Sequence, residues 1–411
     1  MSKKKSEKQG TRFSNLREIY FEARSKGKFF FLMSIFLIVF SAFFDTHAQM
    51  PVLAPYTMSL GATPFILGLV VGSYSLFNIV GNFVSGTIID KNSWKPPLLF
   101  GLVGAALALL LYTLAGSAYH LILIRAGHGF LGGLLVPATL ASLTMENEKD
   151  SFQALLLSIF GATIGLAAVT GPLAAGITAN LYGYHMVYYG LTGLISAATI
   201  TAFGLLRNQS GKPPQSKSVP ISFMQILARP NLQGAFIFAL GTMGSTGTLA
   251  SFLPTRAKLV GLDHAQTGML FTAFALTAII VQISWPRILK PLINGDLRGC
   301  TFGLLSLCFS LILAATLNNM TGLFIALIIY GIGFGLLFQG MLSIVMNDSQ
   351  PAWRGRAIGL FFATYSLGVF LMPPLSGLIW QYQTAIFPFY TSAAAALFSL
   401  FLGKMLCAKN G

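Results

Sequence analysis

Four ionisable side chains interrupt two long apolar stretches of the sequence. Asp45 and His47 lie in the first stretch, and Arg125 and His128 lie in another. A charge in apolar surroundings is costly unless it is paired, so these side chains are expected to lie near one another. One possibility is a fixed ion pair between Asp45 and Arg125 that joins two helices. The other is that Asp45 binds and releases a proton, which a histidine can share because it titrates near neutral pH.

The elements that carry these side chains follow from composition. Of the 411 residues, 55% are hydrophobic and only 9% are charged, whereas soluble proteins have about 25% charged residues. About 20 apolar residues cross a bilayer as a helix, and the chain divides into twelve such stretches, the first from Phe29 to Ala54. That stretch is too long for the apolar region of a signal peptide, so no cleavage is expected. The sequence therefore predicts an all-α membrane protein with twelve transmembrane helices.

The net charge of +15 is distributed unevenly along the chain. Every Lys and Arg except Arg125, Arg256 and Lys258 falls in the N-terminal tail, the even-numbered loops, the central polar segment or the C-terminal tail. This asymmetry follows the positive-inside rule and places both termini in the cytoplasm, as in a bacterial inner-membrane protein. It argues against a nucleic-acid partner, since no soluble domain carries a basic face. Residues 16–23 of the tail are interpreted either as an interfacial helix on anionic lipid or as a solvated topology signal.

The chain also divides into two halves of six helices. We predict a cytoplasmic basic tail at 1–28, a first six-helix bundle at 29–206, a cytoplasmic linker at 207–230, a second bundle at 231–405 and a C-terminal tail at 406–411. The linker is polar and contains prolines, so it cannot span a membrane. The fifth and eleventh helices each follow a polar loop and contain proline and glycine at similar depths. Internal repeats of this kind place a substrate site between the halves near the midplane.

The loop between the second and third helices carries a recognisable motif. It reads Gly86-Thr-Ile-Ile-Asp90-Lys91-Asn-Ser-Trp-Lys95, and it resembles the loop signature of the major facilitator superfamily, although Ser93 and Trp94 depart from it. The resemblance extends from the first helix to the twelfth and implies two pseudo-symmetric six-helix bundles. In that family the Asp meets the N-terminal end of the eleventh helix and locks the cytoplasmic side in the outward-facing state.

Carried to this chain, the resemblance implies a conformational latch between Asp90 and the segment that contains Arg354 and Arg356. A helix N-terminus favours a nearby carboxylate because of the helix dipole, and an acid at a membrane boundary needs a charge partner. The alternative is that Asp90 is an ordinary loop acid. The two arginines can likewise serve as topology determinants alone.

Two further segments resemble the drug/proton antiporter branch of the family. Arg125-Ala-Gly-His128-Gly129 is similar to its helix 4 motif, with His128 at the position where Gln is usual. Its helix 5 signature is matched at Gly171, Pro172 and Gly176, while two earlier glycines are replaced. The resemblance implies proton-coupled efflux, with Asp45, Arg125, His128 and His47 as the coupling residues. Close helix packing by small residues is the structural alternative for the helix 5 signature.

These observations predict a monomeric secondary active transporter that moves a small organic solute by alternating access in a lipid bilayer, most readily as export coupled to protons. Uptake of a metabolite or a siderophore-like ligand is the second hypothesis, and a non-transporting receptor or scaffold is the third. No constellation for enzyme catalysis is found, nor any site for a metal or cofactor. The expected cavity residues are polar groups of both halves: Gln49, Tyr74, Asn78, Gln282, Tyr330, Gln339 and Tyr365.

Overall fold

The computed structural model describes residues 26–145, 150–205, 222–350 and 353–407. The predicted tail helix at 16–23 and most of the predicted linker lie outside these residues. Within the described ranges, twelve helices are long and apolar enough to cross a membrane, which confirms the predicted fold class. They are α1 (Lys26–Ala48), α2 (Pro64–Lys91), α3 (Lys95–Tyr112), α4 (Ala118–Met145), α5 (Asp150–Tyr182), α6 (Tyr184–Leu205), α7 (Pro230–Leu259), α8 (His264–Ser284), α9 (Asp296–Thr316), α10 (Met320–Asn347), α11 (Arg354–Tyr382) and α12 (Phe387–Cys407).

Some helix ends differ from the prediction. The first helix ends at Ala48 rather than Ala54, and a separate short helix follows at Leu53–Ser59. Pro51 lies between them; it has no backbone N–H and disfavours the helical conformation of the residue before it. By contrast, α7 contains Pro254 in its interior and continues as far as Leu259. Neighbouring helices can compensate for the single N–H that a proline removes in a membrane.

Besides the short helix at Leu53–Ser59, three short helical segments connect the long helices in the described residues. Phe223–Leu227 precedes α7 and begins with a capping box, in which Ser222 and Gln225 exchange side-chain and backbone hydrogen bonds. After α8 the chain continues as a π-helical turn at Trp285–Leu289 and a single α-helical turn at Lys290–Ile293. These three segments lie at the same end of the molecule as the start of α1 and the end of α12.

The two halves pack their helices in the same way. In the first half α1 packs on α5 and α6, and in the second half α7 packs on α11 and α12. The contact of α2 with α4 corresponds to that of α8 with α10, and the contact of α3 with α6 corresponds to that of α9 with α12. The structure thus contains the two pseudo-symmetric six-helix bundles that the sequence predicted.

The halves meet through α2 with α11 and through α5 with α8. We call the end of the molecule at which α1 begins and α12 ends proximal and the opposite end distal. At the distal end, Gly68 lies against the backbone of Pro373, and Gly176 lies against the carbonyl oxygen of His264, so closely that neither glycine has room for a Cβ atom. At the proximal end of the same helices, a Cβ on Gly86 or Gly161 would have no atom within 4 Å. The halves are therefore closed distally and separated proximally.

Candidate functional site

Asp45 lies in the distal part of α1, and its carboxylate has two partners. Gln49 Nε2 donates to Oδ1 at 2.7 Å, and His128 Nε2 lies 3.1 Å from Oδ2. Gln49 lies in the turn just after α1, and its backbone N–H donates to the Asp45 carbonyl oxygen at 3.3 Å, so the helical spacing of four residues places both side chains on the same side. Asp45 is only 3% exposed and His128 only 1% exposed. The structure therefore brings together the acid of α1 and the histidine of α4.

Arg125 does not form the direct ion pair with Asp45 that the sequence suggested. Its Nη1 donates to Gln49 Oε1 at 3.1 Å, and its Nε donates to the carbonyl oxygen of Val70 at 3.4 Å. The guanidinium also lies over the ring of Tyr74, with Cζ 4.4 Å from the ring centroid, as a cation–π contact. The guanidinium has five N–H donors in one plane, so it can bind several partners without contacting the Asp45 carboxylate. The amide of Gln49 therefore bridges the two charges.

Tyr112, at the distal end of α3, closes this network into a ring. Its hydroxyl lies 3.5 Å from Arg125 Nη1 and 3.3 Å from His128 Nδ1. Tyr112 is fully buried and stacks on Tyr188 of α6, with ring centroids 4.5 Å apart. We call Asp45, Gln49, Arg125, Tyr112 and His128 the polar ring. Tyr112 could not be predicted from the sequence, since a tyrosine at the end of an apolar helix gives no sign of which helix its hydroxyl faces.

His47, the fourth ionisable residue predicted for this site, lies outside the polar ring. Its Nδ1 lies 2.7 Å from the carbonyl oxygen of Phe43, one turn earlier in α1. Residues two positions apart on a helix do not face each other, so His47 points away from the direction in which Asp45 meets His128. The structure therefore separates the two histidines that the sequence left as equal candidates.

A cavity of about 170 Å³ lies inside the first half beside the polar ring. Tyr74 and Asn78 contribute to its wall, as predicted from the sequence, and the Asn78 amide donates to the carbonyl oxygen of Gly129 at 3.3 Å. Gln49 does not line this cavity, because it is buried between Asp45 and Arg125. The wall combines five polar residues with aliphatic and aromatic ones: Asp45, Thr46, Tyr74, Asn78, His128, Ala42, Phe43, Ala105, Gly132, Leu135, Val136 and Ile195.

The cavity residues predicted in the second half lie elsewhere. Tyr330 is fully buried and its hydroxyl lies 3.0 Å from Thr246 Oγ1. The Tyr365 hydroxyl is buried without a hydrogen-bond partner among the described residues. Gln282 and Gln339 are half-buried. None of these four residues lines the cavity beside Asp45. The predicted cavity residues of the first and second six-helix bundles therefore do not share this cavity.

The residues of the predicted latch are also apart. Asp90 is exposed and has no hydrogen bond or ion pair with any described residue. Arg354 donates from Nη2 to the carbonyl oxygen of Ser349 at 3.2 Å, and Lys95 lies 5.9 Å from the centroid of the Trp94 ring. Lys91 is exposed, whereas Gly86 and Arg356 are half-buried. This separation agrees with the open proximal end, since a latch there can form only when α2 and α11 approach each other.

The helix 5 signature lies at two helix contacts. Gly171 packs against α1, where a Cβ would approach the Phe44 carbonyl oxygen and the Ala48 nitrogen to 3.1 Å. The carbonyl of Pro172 faces Gly268 of α8, and Gly176 faces the carbonyl oxygen of His264. The signature therefore provides close packing within the first half and also between the halves at the distal end.

Polar contacts reinforce the distal closure. Asn180 Nδ2 donates to Asp263 Oδ2 at 3.5 Å, and the Tyr184 hydroxyl lies 3.1 Å from His264 Nε2. In both contacts the first residue belongs to the first half and the second to the second half. Neither contact could be predicted from the sequence. Asp263 and His264 lie where α8 begins, and this position does not indicate which residues of the first half they contact.

Comparison with known proteins identifies the family. The family model described as Major Facilitator Superfamily matches residues 35–373. The chain belongs to the major facilitator superfamily. Among curated relatives, the staphyloferrin B transporter of Staphylococcus aureus is 23% identical over 351 residues, covering 82% of this chain and 82% of the relative. The multidrug efflux protein YfmO of Bacillus subtilis is 25% identical over 356 residues, covering 85% of each chain.

A solved structure agrees with this assignment. The bacterial homologue of the human lysosomal transporter Spinster, crystallised in an inward-facing and unoccupied conformation, matches with a TM-score of 0.72 at 14% identity, over 94% of this chain and 96% of that chain. At this identity the likeness shows the fold. Together with the family match and the transporter relatives, it shows that this member of the major facilitator superfamily is a multi-pass membrane transporter and not an enzyme.

Proposed function

We propose that this protein exports a small organic compound in exchange for protons, and that Asp45 and His128 hold the coupling proton. The observation that carries this proposal is their 3.1 Å contact at the wall of a cavity inside a membrane-spanning bundle. An acid in this setting is costly unless it is paired or protonated. The imidazole beside it provides a second proton acceptor near neutral pH, so the pair can gain and lose a proton during a transport cycle.

Two features support export of a partly apolar compound. The cavity wall combines five polar residues with seven apolar or glycine residues, and sites for small organic ligands commonly combine apolar surface with a small number of polar groups. One relative is named as a multidrug efflux protein. Proton-coupled uptake of a metabolite or siderophore-like ligand is the second candidate, and the relative named as a staphyloferrin B transporter favours it. We expect the protein to act as a monomer.

We further propose that both termini are cytoplasmic, because the positive-inside rule assigns the Lys- and Arg-rich loops to that side. The proximal end then faces the cytoplasm, and the structure corresponds to an inward-facing state. Cysteines introduced into the predicted linker at 207–230, in a variant without Cys300, Cys308 and Cys407, should react with an impermeant reagent only after the cells are opened. Labelling of the linker from outside intact cells would contradict this orientation.

The latch hypothesis predicts a shift in conformational balance. In the inward-facing state Asp90 has no hydrogen bond or ion pair with any residue that the structure describes, so Asp90→Asn should destabilise only the state in which the proximal ends close. A carboxylate at a helix N-terminus contributes up to about 2 kcal/mol when partly buried. We expect a larger inward-facing population in this variant, measured as longer distances between spin labels on the proximal ends of α2 and α11. Asp90→Glu, which keeps the charge, is the control, and an unchanged distribution in Asp90→Asn would exclude the latch.

Transport in membrane vesicles tests the function itself. Purified protein in proteoliposomes should move a compound from a panel of lipophilic drugs and siderophore-like chelators against its concentration gradient. The direction of net movement should reverse when the imposed proton gradient is reversed. Movement opposite to the proton flux supports export, movement with the proton flux supports uptake, and movement that ignores the proton gradient would refute proton coupling.

A further inference from the structure

The donors of the polar ring determine the directions of its hydrogen bonds. Arg125 can only donate, so Gln49 Oε1 and the Tyr112 oxygen both accept from it. The Tyr112 proton is then free to be donated to His128 Nδ1, which lies 3.3 Å away. His128 consequently carries its own proton on Nε2, directed at Asp45 Oδ2. Each of the five side chains has at least one hydrogen-bond partner within the ring in this arrangement, in which Asp45 is ionised and His128 is neutral.

An added proton disturbs this arrangement at Tyr112. If the proton is on His128, then Nδ1 becomes a donor and no longer accepts from the tyrosine. If it is on Asp45 Oδ2, then His128 Nε2 must accept it, and the histidine proton moves to Nδ1. Asp45 Oδ1 already faces the Gln49 amide, whose orientation Arg125 holds. Each site for the proton therefore leaves the buried Tyr112 hydroxyl without its acceptor.

Tyr112 is also connected to the distal contact between the halves. The Tyr56 hydroxyl donates to the backbone carbonyl of Tyr112 at 2.6 Å. The ring of Tyr56 lies 5.4 Å from the ring of Tyr184, and the Tyr184 hydroxyl reaches His264 of the second half. A displacement of Tyr112 thus acts, through two packed tyrosines, on a polar contact that exists only while the distal end is closed.

We propose that Tyr112 is a positioning residue that transmits protonation of Asp45 and His128 to the distal contact, so that proton binding loosens the closed distal end. This proposal rests on the proposed proton coupling at Asp45 and His128. It adds a residue that binds neither substrate nor the coupling proton. The other ionisable groups that contact the pair or the tyrosines beside it are Tyr56, Tyr74, Arg125, Tyr184, His185 and Tyr188, and His47 lies two residues from Asp45.

The test compares Tyr112→Phe with Tyr188→Phe. The Tyr188 ring stacks on Tyr112, but its buried hydroxyl has no hydrogen-bond partner among the described residues, so its removal is a matched control. Spin labels at the exposed positions Leu181 and Leu259, at the distal ends of α5 and α7, report the distance between the halves as pH is varied. In the unaltered protein we expect the distal-open population to rise as pH falls.

The hydrogen bonds of the polar ring determine in which direction Tyr112→Phe shifts the pH midpoint of the distal distance change. The Tyr112 hydroxyl is satisfied only in the unprotonated state, so its loss removes stabilisation of that state and favours proton binding. A lost buried hydrogen bond of this kind changes an equilibrium about tenfold, which moves the pH midpoint of the distance change upward by about one unit. Tyr188→Phe should leave the midpoint unchanged. Tyr56→Phe should leave the midpoint in place but reduce the amplitude, and it provides a second variant if Tyr112→Phe does not fold.

Different outcomes would contradict the role of Tyr112 and the proton-coupled function. Equal midpoints in Tyr112→Phe and Tyr188→Phe, or an unreduced amplitude in Tyr56→Phe when Tyr112→Phe does not fold, would overturn the role of Tyr112. Proton-driven transport with a distal distance that does not respond to pH would overturn it too, and would leave the proton-coupled function intact. Failure of the function itself appears in a different measurement, as transport by the unaltered protein that ignores the proton gradient.

Discussion

Asp45→Asn should abolish proton-driven accumulation of substrate, lowering it by at least about 100-fold, while substrate exchange without a gradient persists. The amide resembles the protonated acid in shape and charge, so the variant is held in one of the two states that the cycle must alternate between. Asparagine can still accept from Gln49 or from His128, and the polar ring should therefore remain folded. The measurement is concentrative transport in proteoliposomes with a proton gradient as the only driving force.

A neighbouring residue provides the control. His47→Gln changes an ionisable side chain two positions away, whose Nδ1 lies 2.7 Å from the Phe43 carbonyl oxygen in its own helix. We expect this variant to transport within about twofold of the unaltered protein, as for a substitution outside the functional contacts. Full concentrative transport by Asp45→Asn at normal expression would refute the assignment of Asp45. His128 and His47 would then become the candidates, and the polar ring would have a structural role.

Gly176→Ala should shift the protein away from the distal-closed state by more than about tenfold and slow transport accordingly. The added Cβ would collide with the carbonyl oxygen of His264, which belongs to the backbone of the other half. A backbone atom cannot move aside as the end of a flexible side chain can, so the halves must separate to relieve the contact. Within α5 the substitution itself is favourable, since alanine has a higher helix propensity than glycine by about 1 kcal/mol.

The same helix supplies a matched control for this substitution. Gly161→Ala places the same methyl group in α5 at a position with no atom within 4 Å. It should leave both transport and the distances between distal spin labels unchanged. If Gly176→Ala behaves like Gly161→Ala in the distance measurement, the close approach of α5 and α8 is not required for distal closure.

The sequence by itself determined the twelve helices and the identity of the charged residues within them. Hydrocarbon provides no hydrogen bonds for the backbone, so a long apolar stretch such as that of α1 must satisfy its N–H and C=O groups internally as a helix. This requirement is local and can be read from one stretch at a time. The same local reasoning identified Asp45 and Arg125, because a charge stands out in an apolar stretch whatever the rest of the chain does.

Only the tertiary structure decided which of these side chains meet. Helix rotation and depth depend on packing between segments that are far apart in sequence. For this reason Asp45 was expected to meet Arg125, whereas Gln49 lies between them and His128 takes the direct contact. Tyr112 joined the ring because the end of α3 happens to face α4. Gly176 matters to the closed distal end because α8 crosses α5 at His264, and its place in the helix 5 signature did not specify that neighbour.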